Sequence, residues 1–193
     1  MKCPPEITEL PAVIDPILCQ NIINTTRPKM TPALVGKSIL RVASPARRAM
    51  NYKYRQDLAW TIEVRKQVAQ LAEVNLEFVE PVEVVCYQQG GYYFRHNDGE
   101  DRSHTFVAYL SDAYTGGELY FDKLDALFTK IPIGTGIFYE NLPKMRHECR
   151  QVTSGEKWCM CVWVSKYNSY ERVQIGRDIQ ADLKPTSSII HIP

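Results

Sequence analysis

From residue 82 onward the chain is written in short β-patterned runs, and nothing between them is long or periodic enough to be a crossover helix. Segments 82–88, 92–96, 105–110, 118–121, 136–139 and 157–164 read as strands. Gly90-Gly91, Gly116-Gly117, Gly134 with Gly136, and Ser154-Gly155 punctuate them as turns. Parallel neighbours need a crossover of a dozen residues or more, so these strands predict a largely antiparallel sheet. Short antiparallel strands preceded by helices point to an α+β, mostly β fold: a double-sheet jelly roll of about eight strands backed by helices.

The helices come first. Asp15-Pro16 ahead of Ile17, Leu18, Ile22 and Ile23 supplies a cap, a proline for the first turn and an apolar stripe. Residues 57–77 predict a second helix, with Asp57 as cap and Leu58, Ile62, Val68, Leu71 and Ala72 at helical spacing. Residues 37–41 resemble a short strand, and 42–56 a basic, polar connection. A chain of 193 residues is most simply one domain. Within it, 1–80 reads as a support region of two or three helices, 81–166 as the jelly-roll core, and 167–193 as a polar C-terminal extension placed as an edge or lid.

A formal charge of +1 gives no global argument for nucleic acid or membrane. Its distribution is uneven. Residues 16–56 contain no Asp or Glu, yet hold Arg27, Lys29, Lys37, Arg41, Arg47, Arg48, Lys53 and Arg55. Such a stretch either attracts an acidic partner or is a solvated face offset by acids elsewhere, and the second reading is favoured. The first residues lack the apolar core of a secretory signal, and no run reaches membrane-spanning length. The six cysteines form no CxxC pair; Cys159 and Cys161 alternate on one strand as buried, reduced thiols. These features predict a cytoplasmic protein without a membrane partner.

Chemistry concentrates in two fragments, Tyr87 to Asp98 and His147 to Trp158. On an extended strand His96 and Asp98 face one side while Asn97 points away. His-x-Asp alone is commonly just a polar strand end. Here it follows a Tyr- and Gly-rich turn, and His147 precedes a turn and a lysine-bearing strand. Two imidazoles and one carboxylate form the facial set that holds non-haem iron and leaves positions open. On the strand after His147, Lys157, Cys159, Cys161 and Trp163 share one face, and an inward lysine must meet an anion or carry a large desolvation cost. A metal-binding jelly roll without turnover, such as a structural zinc site, stays open at this point, although such a site closes its shell with a fourth ligand and has no use for Lys157.

Tyr87-x-x-Gly90-x-x-Tyr93-x-x-His96-x-Asp98, Arg102-x-x-Thr105, Tyr109-Leu110, Gly116-Gly117-Glu118-Leu119, and His147 with Val152, Gly155, Lys157-Trp158 and Trp163 together resemble the prolyl 4-hydroxylase-like 2-oxoglutarate and Fe(II)-dependent dioxygenases. The resemblance covers residues 80–165 and implies a double-stranded β-helix. It implies that His96, Asp98 and His147 are the catalytic ligands of Fe(II), with Lys157, Tyr87 and Tyr109 on 2-oxoglutarate. Arg102, Tyr93 and Trp163 then border the substrate, a proline-containing peptide or protein. O2 is the oxidant, ascorbate a reductant, and succinate and CO2 the co-products. The same chemistry on another residue, or on a small molecule such as a free amino acid, is the alternative. Asp98 favours hydroxylation over halogenation, since related halogenases lack that carboxylate. Nucleic-acid repair is disfavoured because the carboxylate anchor is a lysine and the arginine signature of that branch is missing.

Other residues fit less directly. His104 reads as a hydrogen-bonded or surface histidine rather than a ligand, and His191 is too near the end to be one. Tyr92 and Tyr93 face opposite ways, so one of them lines the site. Strict alternation between Val152 and His147 would set them on opposite faces, so a bulge or irregular turn must intervene. The loop after Asp98 is short compared with many relatives, and loops carry substrate specificity.

Overall fold

Why residues 82–165 read as nearly continuous apolar runs is plain in the computed structural model, which describes residues 4–36 and 42–171. In chain order the elements are β1 (Ile7–Leu10), α1 (Pro16–Thr26), β2 (Thr31–Pro32), β3 (Arg47–Arg48), β4 (Met50–Lys53), α2 (Ala59–Leu71), β5 (Glu83–Tyr87) and β6 (Tyr92–His96). There follow β7 (Arg102–Tyr109), β8 (Tyr114–Gly116), β9 (Leu119–Phe121), β10 (Ala126–Phe128), β11 (Gly136–Glu140), β12 (His147–Cys149), β13 (Val152–Gly155) and β14 (Lys157–Ser165). One antiparallel sheet runs β1-β11-β7-β14-β5-β4-β2, a second runs β10-β9-β12-β6-β3, and β13 pairs with β8. The fold is the double-stranded β-helix of a jelly roll.

The central strands β5, β7 and β14 serve two cores at once. Val84, Cys86, Phe106, Ala108, Trp158, Met160, Val162 and Val164 face the helices and pack with Cys19, Ile22, Ile23, Val64 and Val68. Their alternate residues, including Val85, Tyr87, Tyr109 and Cys159, face the other way and pack with residues of the second sheet. Burying each large aliphatic side chain contributes about 1.5–3 kcal/mol, and the strands holding both layers therefore resist displacement. Tyr87, Tyr109 and Lys157 stand on these doubly packed strands, whereas His96 and His147 stand on β6 and β12 of the second sheet.

The N-terminal region departs from the sequence reading. It is not only a helical support: β1 pairs with β11, β4 with β5, β2 with β4, and β3 with β6. Fourteen strands, rather than about eight, are present among the described residues. Several of them run only two to four residues, too short to show alternation. Asp15 caps α1 as expected, accepting from the N–H groups of Ile17 and Leu18 at 2.8 and 3.2 Å. Asp57 does not cap α2. Thr61 Oγ1 accepts from Leu58 N–H at 2.9 Å in that role, and Asp57 pairs with Arg65 instead. That helix stops at Leu71, where Glu73 turns to a φ of 53°. The proposed strand over 37–41 and the tail beyond 171 lie outside the described residues.

The acid-free stretch is offset by acids elsewhere. Arg27 pairs with Glu156 at 2.8 Å, Lys53 with Glu80 at 3.0 Å, and Arg47 faces Glu83 at 3.7 Å.

Candidate active site

The antiparallel register of β6 and β12 sets His96 directly opposite His147. Their rings lie 4.4 Å apart, and the Nε2 atoms stand 3.8 and 3.9 Å from the two Asp98 carboxylate oxygens. Each imidazole is oriented by a backbone carbonyl on its far side: Phe94 O is 2.8 Å from His96 Nδ1, and Met145 O is 3.0 Å from His147 Nδ1. A carbonyl only accepts, so Nδ1 carries the proton and Nε2 presents its lone pair toward Asp98. Burial and the neighbouring His147 push the His96 pKa down, which keeps that ring neutral at physiological pH. Burial would raise the Asp98 carboxyl, but the two histidines, Arg102 and the Thr105 hydroxyl hold it low and ionised.

Asp98 departs from simple strand alternation. β6 ends at His96, so Asp98 lies beyond the strand. Hydroxyls place it: Thr105 Oγ1 and Tyr139 Oη donate to Asp98 Oδ2 at 2.7 and 3.0 Å. Tyr139 was not singled out in the sequence, since an apolar β11 gave no sign that its hydroxyl crosses to Asp98. The irregularity expected after His147 is present, as register shifts in β12 and in β13 with a break between them.

Lys157 opens β14 opposite Tyr87 and is 3% exposed. Its ammonium donates to Gly117 O at 2.7 Å and lies 3.4 Å from the Cys149 sulfur. The Tyr109 ring centroid is 5.1 Å away and that of Tyr87 5.8 Å. No carboxylate pairs with Lys157 among the described residues. Gly117 reaches the lysine because Gly116 and Gly117 both adopt left-handed φ, +71° and +67°; a Cβ on Gly116 would sit 2.3 Å from Gln151 O.

A cavity of about 310 Å³ joins these groups, lined by Lys157, Tyr87, Tyr109 and the two histidines with Asp98, and reaching Arg47, Leu34 and Val35. Tyr93 lines it with its ring stacked 3.5 Å from His96, while Tyr92 turns away to donate to Pro45 O. Trp163 lines the cavity with its buried indole N–H unpartnered. Arg102 also lines it, but its charge is already engaged. It donates to Glu80 at 2.7 and 3.1 Å and to Asp98 O at 2.9 Å, and its guanidinium covers the Trp163 ring at 3.9 Å. It reads better as the brace behind Asp98 than as a free substrate fork. His104 stacks on Phe138 and meets the Ser103 hydroxyl, away from the two opposed imidazoles. Arg47 is a cavity residue that the sequence reading left inside a basic connection, because a two-residue strand carries no periodic signal.

Residues 82–165 match the family model described as the 2OG-Fe(II) oxygenase superfamily. This core is similar to the 2OG-Fe(II) oxygenases. Among solved structures, the chain is similar to a viral collagen prolyl hydroxylase of Paramecium Bursaria Chlorella virus-1 in a 2-oxoglutarate complex. Identity there is 23% and the TM-score 0.66, with 82% of this chain and 95% of that one covered. A Pseudomonas putida prolyl-4-hydroxylase superposes at TM-score 0.64 with 16% identity, covering 84% of this chain and 94% of that one. A Trichoplax adhaerens prolyl hydroxylase in complex with a hypoxia inducible factor peptide gives 0.66 and 14%, covering 88% and 86%. At these identities the likeness concerns the fold. No match was found among the curated proteins.

The superfamily that this core matches implies Fe(II), 2-oxoglutarate and O2, and the donor set present here fits the metal. Two imidazoles and a carboxylate lie within 4.8 Å of one another, close to the spread of donors that each stand about 2 Å from one ion. Removing one hydroxyl brace should loosen that set. Tyr139→Phe is expected to weaken Fe(II) binding about 10–100-fold, the usual cost of losing an outer partner, measured by titration with the ion. A change under twofold would show that Thr105 alone suffices.

Glu80 gives the protein a pH signature. Burial would raise its carboxyl, but Arg102 and then Lys53 outweigh that and hold it at about 2. A depressed carboxylate stabilises the fold above its unfolded value near 4.5, and that contribution is lost as pH falls through about 2. Glu80→Gln should therefore lower the urea midpoint at pH 7, with the deficit shrinking between pH 4.5 and 2. A deficit independent of pH would mean that packing, not charge, dominates there.

Proposed function

We propose that this protein is an Fe(II)- and 2-oxoglutarate-dependent dioxygenase that hydroxylates proline in a peptide or protein. In this reading His96, Asp98 and His147 hold the metal. Lys157 pairs with the far carboxylate of 2-oxoglutarate as a point charge. Tyr87 and Tyr109 line the co-substrate's path. The bound iron supplies the coupling of 2-oxoglutarate decarboxylation by O2, giving succinate and CO2, to hydroxylation of the substrate. The chain's own residues bind, orient and keep water out.

The observation that carries the reading is Lys157. A buried ammonium held, among the described residues, by a carbonyl and a thiol, within the cavity of two imidazoles and a carboxylate, calls for an anion from outside. A closed zinc site has no such need. Peptidyl proline is supported by the nature of the superposed enzymes, two of them named for collagen or a hypoxia inducible factor peptide, and by the aromatic walls Tyr93 and Trp163. Ascorbate belongs to the proposal as a reductant that maintains ferrous iron.

Anaerobic protein with Fe(II) and 2-oxoglutarate should develop a weak visible charge-transfer band. On admitting O2, proline-containing peptides should gain 16 Da, with succinate formed in equal amount. Tight zinc binding with no band defeats the oxygenase role for this chain. A band with succinate but no modified proline peptide moves the chemistry to another substrate.

A further inference from the structure

The hydroxylase reading gives Lys157 an anion and leaves Arg47 without work. β3 sets Arg47 opposite Tyr93, and its guanidinium carbon lies 4.8 Å over the Tyr93 ring. That ring stacks in turn on His96 at 3.5 Å. A guanidinium thus stands one aromatic layer from an imidazole of the donor set, on the wall of the same cavity.

Its hydrogen-bonding capacity is unspent. The side chain is 10% exposed, and its Nε is buried with no partner. Glu83, the carboxylate it faces, is 3.7 Å from Nη2, beyond hydrogen-bond reach, and Glu83 Oε1 already accepts from Asn51 at 2.7 Å. Arg102 shows the contrast, since Glu80 and the Asp98 carbonyl engage all three of its nitrogens. A buried planar fork with vacant donors is matched by a carboxylate, which it can grip through two parallel bonds. Stacking on Tyr93 fixes the plane of that fork.

We infer that Arg47 is a specificity-determining residue that holds a carboxylate of the substrate beside the oxidised carbon. The inference rests on the hydroxylase reading of this cavity and narrows it. The substrate is acidic at or next to the reacting residue, either through a free carboxyl of that residue or through a neighbouring acidic side chain.

Calorimetric titration of the full chain, loaded with Zn(II) and 2-oxoglutarate so that it cannot turn over, tests this directly. N-acetyl-L-proline is expected to bind wild type at least tenfold tighter than N-acetyl-L-prolinamide. Arg47→Gln should bind the two alike while keeping 2-oxoglutarate affinity within twofold, which also shows that the variant is folded. Arg47→Lys should recover only part of the preference, having charge without the fork. N-acetyl-L-aspartyl-L-prolinamide separates the two sources: tight Arg47-dependent binding there assigns the carboxylate to a neighbouring side chain. Equal binding of acid and amide by wild type with no Arg47-dependent gain from the aspartyl compound, parallel loss of both in Arg47→Gln, or no binding of any acid overturns the inference. N-acetyl-L-alanine against its amide keeps the two readings apart. An Arg47-dependent preference there, with no binding of the proline compounds, sinks the prolyl substrate and sustains Arg47.

Discussion

Asp98→Ala should abolish turnover and weaken Fe(II) binding at least a thousandfold, about 4 kcal/mol. Asp98 supplies the single carboxylate of the donor set, and its loss leaves two neutral imidazoles to hold a dication. The substitution also takes from Tyr139 the Asp98 Oδ2 acceptor of its hydroxyl, while Thr105 Oγ1 keeps Asn141 Oδ1 at 3.0 Å. A buried donor without an acceptor costs about 1–3 kcal/mol, so the variant should also melt lower. Titration with Fe(II) and a thermal melt measure the two effects separately. Retention of metal affinity within threefold would remove Asp98 from the metal site.

Lys157→Met should separate co-substrate from metal. Truncating one member of a buried charge pair costs about 2–5 kcal/mol, so 2-oxoglutarate affinity should fall by thirtyfold or more while Fe(II) affinity stays near wild type. Stability should move the other way. Without co-substrate, Lys157 is a buried cation with a carbonyl and a thiol for company, and replacing such a charge by an apolar chain of similar length is neutral or stabilising. The ligand-free variant should melt no lower than wild type, yet gain nothing when 2-oxoglutarate is added, whereas wild type rises with ligand. Unchanged co-substrate affinity would leave the buried lysine unexplained and take away the main support for the proposed function.

These two expectations use residues that were legible in the chain before any fold was known. The four chemical positions stand in two local fragments, His96 with Asp98 and His147 with Lys157, and each fragment is anchored by strong β patterning. The α1 cap at Asp15 and strand β6 also follow from local chemistry. What local chemistry misses is short or crosses the fold. β1 and β3 are strands because β11 and β6 offer them free edges, not because four or two residues encode a strand. Asp57 has every property of a helix cap, but it pairs with Arg65, and the cap position falls to Leu58, whose N–H donates to Thr61 Oγ1. Arg102 was expected to meet substrate; Glu80, sixteen positions upstream of His96, claims its charge first.

The sequence by itself determined the antiparallel jelly roll, the imidazole and carboxylate donors and the inward lysine, because alternation along a strand and residue chemistry are properties of a few adjacent positions. Only the tertiary structure decided which charges are spent and which are free. Arg102 is engaged at all three nitrogens, Arg47 is not, and Lys157 has no carboxylate among the described residues. That distinction depends on contacts between residues far apart in the chain, such as Lys157 with Gly117, 40 positions away, and packing rather than spacing sets them.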